Sequence, residues 1–247
     1  MINQHIIHQL FTTEQPFFIH KHFATLDECH QMKEAIYKIG FEEYINVSPP
    51  IGRIGITQFE AGKENKNWYF ERAKISGERQ NMIFNMSFNP IERLIKLFQN
   101  SGKTIYIASD LSTGRPYYSG LIRQINKSAL IHADYAPYDA KGWEIGEISA
   151  QLAWNLCIQA PASGGDCIVY EKPWDLADDE SFRIKNSYGY VPEVLGKSPG
   201  HAITVDTGDM YLFNSRNFHE VKNCSGDRIT ISCFLGLLQN SDIVIWS

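Results

Sequence analysis

After residue 115 the apolar residues of this 247-residue chain stop recurring at helical intervals and fall into short runs punctuated by Gly, Pro or Asn. The runs are Tyr117–Ile125, Ala129–Ala133, Glu147–Ile158, Asp166–Tyr170, His201–Asp206, Met210–Phe213, Phe218–Val221 and Arg228–Leu235. They alternate, or carry β-branched and aromatic side chains, as strands on a pleated, half-buried surface do. Roughly eight strands with turn punctuation predict a two-sheet jelly roll, the architecture of cupins.

The first 114 residues read differently. Thr25-Leu-Asp-Glu28 is a capping box and Gly40 a stop, so a helix is expected over 25–39. Its apolar stripe would be Leu26, Cys29, Met32, Ile36 and Ile39. A second helix is expected from Pro90 to about Asn100, with Asn89 as cap, Ile91, Leu94, Ile95 and Phe98 as its inner face and Gly102 past its end. The reading is therefore mainly β with flanking helices (α+β), in one domain over 1–247. Residues 1–114 form a helical or mixed support on the outside of one sheet, and 115–247 form the core. The stretch 171–200 interrupts that core, acidic at Asp175, Asp178, Asp179 and Glu180 and then rich in Tyr, Gly and Pro, as a lid or binding loop would be.

Composition narrows the function. A net charge of −5 without a polybasic block argues against a nucleic-acid backbone as the main partner. The five cysteines (29, 157, 167, 224 and 233) contain no C-x-x-C pair, which argues against a disulfide framework or a thiolate zinc site. The opening Met-Ile-Asn-Gln-His-Ile-Ile-His lacks the form of a signal peptide, and no apolar run reaches a membrane-spanning length. The expected setting is cytoplasmic, with no membrane partner.

Chemistry concentrates in Ile-His-Ala-Asp at 131–134 and Asn-Phe-His-Glu-Val-Lys at 217–222. On a strand, residues two apart share a face, which aims His132 and Asp134 the same way. His219 would join them from a strand distant in sequence. Two neutral imidazoles and a carboxylate on one face of a metal leave the opposite face open, the arrangement of non-haem Fe(II) oxygenases. Arg228 follows nine positions after His219, and its planar guanidinium suits the distal carboxylate of a dicarboxylic cosubstrate. Thr230 shares the Arg228 face and offers a hydroxyl to the same carboxylate. The rival reading pairs Arg228 with Asp227 or Glu220 at the surface.

Here the chain resembles a known family. Gly-Gly-Asp-Cys-Ile-Val-Tyr at 164–170 with Trp174, Gly-Asp-Met-Tyr-Leu-Phe-Asn at 208–214, Phe218-His219, Arg228-Ile-Thr and Ile245-Trp246-Ser247 are similar to the Fe(II)/2-oxoglutarate-dependent oxygenases. Within that superfamily they resemble the freestanding, carrier-independent alkaloid halogenases and their hydroxylase relatives. The likeness covers residues 115–247, and only loosely Gly55–Phe70 before them. It implies a double-stranded β-helix core of cupin-like form and iron held by His132, Asp134 and His219. It also implies 2-oxoglutarate anchored by Arg228, O₂ as oxidant and ascorbate as a supporting reductant. Succinate and CO₂ would leave as a hydrogen atom is taken from an unactivated C–H bond of a small molecule. The halogenases carry glycine where this chain has Asp134, which opens a place for chloride. The resemblance therefore implies hydroxylation, or desaturation, and not chlorination. Two rivals use the same residues: a hydroxylase of protein side chains, and a cupin-type protein that only binds a ligand.

Arg123, on the strand before the His-x-Asp motif, meets the cosubstrate, the substrate or a structural partner. Of Trp154 and Asn155, on opposite faces of a central strand, one reaches the cavity. An inward Asn155 binds 2-oxoglutarate or substrate, or serves as a buried amide between strands. Tyr135 and Tyr138 follow the metal motif at the mouth or in packing. His20-Lys-His22 lacks a nearby carboxylate and reads as surface, and His5, His8, His30 and His201 carry no stronger claim. Gly164-Gly165 is a turn and not a phosphate loop, because the G-x-G-x-x-G context is missing.

Overall fold

The alternation within three long strands sets the architecture, seen in a computed structural model that describes residues 2–44, 47–61 and 65–247. Met1, and residues 62–64 within the Gly55–Phe70 segment, lie outside the described residues. The N-terminal elements are α1 (Gln4–Phe11), β1 (Phe17–His20), α2 (Leu26–Ile39), β2 (Glu42–Glu43), β3 (Gly52–Ile54), α3 (Lys66–Phe84), α4 (Pro90–Asn100) and β4 (Ile105–Ile107). Next come β5 (Leu121–Gln124), β6 (Ala129–His132), α5 (Ala136–Asp139), β7 (Ala150–Gln159), β8 (Ser163–Gly164), β9 (Cys167–Pro173) and α6 (Leu176–Phe182). The chain closes with β10 (Gly200–Ile203), β11 (Met210–Asn214), β12 (Asn217–Val221), β13 (Cys224–Ser225), β14 (Ile229–Leu237) and β15 (Ile243–Trp246).

Leu152, Trp154, Leu156 and Ile158 of β7, Met210 and Leu212 of β11, and Ile229, Ile231, Cys233 and Leu235 of β14 form one face of the large sheet. Against it pack Ile7 and Leu10 of α1, Met32 and Ile36 of α2, and Leu94 and Phe98 of α4. The intervening residues, among them Ala153, Tyr211 and Phe213, turn toward the second sheet. Burying one full face at about 25 cal/mol per Å² is what makes this register decisive, since a one-residue slip would turn every apolar side chain outward. The large sheet runs β1-β11-β7-β14-β5-β3-β2, with β15 pairing β14 and β4 pairing β15 in parallel; the smaller runs β10-β9-β12-β6. Two antiparallel four-strand layers, β11-β7-β14-β5 and β10-β9-β12-β6, make the double-stranded β-helix.

Both expected helices form. Thr25 and Glu28 complete the capping box, and Asn89 caps α4 with Pro90 in its first turn. Leu26, the first residue of α2, is the exception in its stripe, 69% exposed. Several boundaries move. The segment 117–120 is not strand but is held through Ser247, whose N–H donates to Tyr118 O and whose Oγ accepts from Gly120 N. Residues 144–147 are a 3₁₀ turn before β7, and Arg228 precedes β14 without opening it. The helices α1, α3 and α6 and the strands β1 and β15 were beyond the sequence reading. In α3 the inner face holds Tyr69, Phe70, Ala73, Gln80 and Ile83, while Trp68, Ile75 and Met82 face out. With apolar residues on both sides, no stripe marks it.

Residues 171–200 are a folded cover. Asp179 accepts hydrogen bonds from Trp174 Nε1 at 2.8 Å, Tyr138 Oη at 3.2 Å and Arg183 Nη1 at 3.0 Å, and also from Tyr190 Oη. Tyr190 N donates to Ile131 O, tying the cover to β6.

Candidate metal centre

His219 of β12 stands directly across from His132 of β6 in the antiparallel ladder, so strand pairing alone brings the two rings together, their centroids 4.2 Å apart. Asp134 lies just past the end of β6. Its N–H donates to Ser215 O at 2.9 Å and its carbonyl accepts from Ser215 Oγ, which fixes the turn that carries the carboxylate. Asp134 Oδ2 is 3.8 Å from His132 Nε2 and 3.5 Å from His219 Nε2, and the three ligand atoms fall within 4.8 Å of one another.

The tautomers fit a metal. His132 Nδ1 sits 2.7 Å from Leu130 O and His219 Nδ1 2.9 Å from Asn217 O. A carbonyl only accepts, so each Nδ1 carries the proton and each Nε2 offers its lone pair to the shared point. Burial, and after it the His219 ring, lowers His132 to about 4, which keeps the imidazole neutral. Burial works against the Asp134 charge, yet its carboxyl is held below the usual carboxylate range, with the Arg123 guanidinium among the groups favouring the anion. Two neutral nitrogens and one anionic oxygen are a donor set suited to Fe(II).

The centre opens into a cavity of about 230 Å³ lined by Arg123, Asn155, Tyr211, Arg228, Thr230 and Ser232, among others. Arg228 is 5% exposed and makes no ion pair with Asp227 or Glu220. Its Nε donates to Gly165 O at 3.0 Å and its Nη2 to Tyr211 Oη at 3.1 Å. Gly165 has φ +77°, and a Cβ there would come within 2.9 Å of Pro161 Cγ and 3.1 Å of Arg228 Cδ, so the Gly164-Gly165 turn lets the arginine pass. Thr230 faces the cavity as expected. Asn155, 7% exposed, faces it too, while Trp154 packs outward on Phe23 and Met210.

Arg123 lines the cavity and donates from Nη2 to Ser232 Oγ at 2.9 Å. Tyr135 reaches the lining, whereas Tyr138 packs on Trp174. His20 corrects the surface reading: its ring is half-buried against Phe18 and Phe23, because β1 is drawn into the large sheet beside β11. His201 pairs with Glu171 at 2.7 Å, away from the centre. Three contributors went unread in the sequence: Tyr211, Ser232 and Tyr188, whose ring meets His132 edge-on. Period-two counting from Thr230 reaches Ser232; Tyr188 left no signal, being in an irregular turn.

A jelly roll with this donor set and a buried guanidinium beneath it defines a non-haem iron oxygenase of the 2-oxoglutarate-dependent class. Residues 2–247 match the carrier-protein-independent halogenase WelO5 family, and the chain belongs to that family. It is 37% identical over 215 residues to the leucinostatins biosynthesis cluster protein S of Purpureocillium lilacinum, covering 81% of this chain and 87% of that one. It is 34% identical over 137 residues to the L-gamma-glutamyl-L-propargylglycine hydroxylase of Streptantibioticus cattleyicolor, 54% of this chain and 50% of that one. The fold matches an N-substituted L-amino acid dioxygenase from Burkholderia ambifaria AMMD, solved in complex with alpha-KG, with a TM-score of 0.66 at 16% identity over 98% of this chain and 90% of that one. Among the described residues, no helix is long and apolar enough to cross a membrane.

Proposed function

We propose that the protein is a hydroxylase of small molecules in specialised metabolism, with residues 1–247 acting as one catalytic domain. His132, Asp134 and His219 hold Fe(II). Arg228, with Thr230 and Asn155, receives 2-oxoglutarate, the guanidinium taking its distal carboxylate. The convergence of the two Nε2 atoms and Asp134 Oδ2, with both Nδ1 protons fixed by main-chain carbonyls, carries this reading.

Bound there, iron and the keto acid would supply oxidative decarboxylation by O₂, one oxygen atom entering succinate as CO₂ leaves and the other entering the substrate C–H bond. The chain does the rest. The carbonyls of Leu130 and Asn217 set which imidazole nitrogen faces the centre. Arg228 would orient the keto acid by its distal carboxylate. Tyr188 and the 171–200 cover limit water at the mouth. Asp134 supplies a carboxylate where halide would otherwise bind, which favours hydroxylation over halogenation, and the hydroxylase relative named above points the same way. The five free thiols fit a reducing, cytoplasmic setting.

The test is anaerobic addition of Fe(II) and 2-oxoglutarate, expected to give a weak visible charge-transfer band, followed by an aerobic screen of metabolite pools. Succinate release coupled to a product one oxygen heavier supports the proposal. A product carrying chlorine when chloride is present, or no band at all, would sink it.

A further inference from the structure

Three arginines line the cavity, and their charges are met unequally. Arg183 is paired with Asp179 at 3.0 Å. Arg228 has no carboxylate partner among the described residues, and the reading above gives it the distal carboxylate of 2-oxoglutarate. Arg123 is left over. Among the described residues its guanidinium makes one hydrogen bond, to the neutral Ser232 hydroxyl, and its Nε is buried without a partner. Its neighbour across the β3–β5 ladder, Arg53, shows the usual alternative: an ion pair with Glu60 at 2.5 Å.

Charge counting makes the difference matter. A ferrous ion and Arg228 carry three positive charges, and Asp134 with a 2-oxoglutarate dianion carries three negative ones. The loaded centre is therefore neutral without Arg123, which adds one positive charge. Asp139, the other carboxylate of the lining, accepts from Tyr135 N at 3.3 Å and makes no ion pair with Arg123 among the described residues. An enclosed guanidinium with an unused donor is costly unless something anionic arrives. Arg123 is also well placed for an incoming molecule. It lines the same cavity as His132, Asp134, Tyr44 and Tyr188. Tyr188 belongs to the mouth, with Val47 and Phe59.

We propose that Arg123 receives a carboxylate of the substrate, so that the molecule hydroxylated is a carboxylic acid bearing one such group, amino acids and their N-substituted derivatives included. This rests on the oxygenase reading above and adds the substrate class. The fork of Arg123, steadied by Ser232, would hold the acid between the mouth and the metal and so fix which carbon faces the centre.

The test uses the whole protein loaded anaerobically with Fe(II) and 2-oxoglutarate. The probes are aliphatic L-amino acids, their N-methyl derivatives and the matched primary carboxamides. Binding is read from the change in the charge-transfer band and from the melting temperature. At least one acid is expected to bind, and its carboxamide to bind roughly 30-fold more weakly, the worth of a charged hydrogen-bonded pair. Arg123→Met should erase that preference and Arg123→Lys restore part of it. The 2-oxoglutarate concentration giving half the band should move far less in either variant than in Arg228→Met. Acids and amides binding equally, no acid in the panel binding in an Arg123-dependent way, or an Arg123→Met shift in the 2-oxoglutarate requirement matching that of Arg228→Met would each overturn the proposal. The acid-over-amide preference is measured on the unaltered protein, so it decides even if Arg123→Met folds poorly. Absence of the band in the unaltered protein would instead remove the oxygenase reading itself.

Discussion

His219 contributes one atom to the centre, and its loss is the simplest test of that centre. His219→Ala leaves His132 and Asp134 with one donor missing, so iron-dependent turnover of 2-oxoglutarate should fall below detection while the fold persists. Retained turnover, measured as succinate, would take His219 out of the ligand set. Arg228→Met removes the only buried guanidinium proposed to meet the distal carboxylate. It should raise the 2-oxoglutarate requirement about 100-fold, as losing a bidentate charged pair does. Tyr211→Phe, which deletes a partner of Arg228 and not the charge, should raise it by about tenfold or less. Equal effects of the two changes would relocate the anchor. At this scale the His-x-Asp pair and Arg228 were legible because chemistry and spacing coincide. Tyr211 and Ser232 were not, since a hydroxyl says nothing until its neighbour across the sheet is known.

The helix α2 tests how a local motif becomes part of the tertiary structure. Glu28 closes the capping box with Thr25 and also pairs with Arg93 of α4, Oε1 to Nη2 at 2.5 Å. The Arg93 hydrogen bond, together with the Thr25 backbone, holds the Glu28 carboxyl down at about 2 against the opposing pull of burial. A folded-state value below the unfolded one means stability that is present above about pH 4.5 and lost as pH falls toward 2. Because the pair is partly solvated, its worth is about 1 kcal/mol. Glu28→Gln should therefore lower stability by that amount at pH 7 and make no difference near pH 2, in urea titrations at both pH values. The 171–200 cover is governed by Asp179 in the same way. Asp179→Asn weakens four hydrogen bonds at once, so limited proteolysis should cut within 171–200 several times faster than in the unaltered protein. Unchanged protection would show that apolar packing of Trp174, Tyr190 and Phe218 holds the cover unaided.

For the molecule as a whole, a site built before its metal arrives should act as a stabilising clamp. Ligands that bind only the folded state add about 2.7 kcal/mol at a concentration 100 times their dissociation constant, which for a chain of this size is a rise of roughly 5–10 °C. Fe(II) under anaerobic conditions, followed by 2-oxoglutarate, should raise the melting temperature by that order, and a chelator should reverse it. His132→Ala should show neither effect. The jelly roll, the two capped helices and the face shared by Arg228 and Thr230 could be read directly, because alternation and capping are written in adjacent residues; which of Trp154 and Asn155 turns inward could not. The helix α3 could not, since its apolar residues face both ways, and neither could the pairing of β1 with β11 or of β15 with β14 and β4, which joins segments far apart in the chain.

By itself the sequence determined the ligand types, their order, the face shared by Arg228 and Thr230, and the period of each core strand, all consequences of backbone geometry over a few residues. Only the tertiary structure decided that His219 would lie opposite His132, that Gly165 would make room for Arg228, and that Arg123 would have only the Ser232 hydroxyl as hydrogen-bond partner among the described residues. Those outcomes depend on which strand pairs with which. That choice is settled by burying whole apolar faces together, a collective free energy that no short stretch of chain contains.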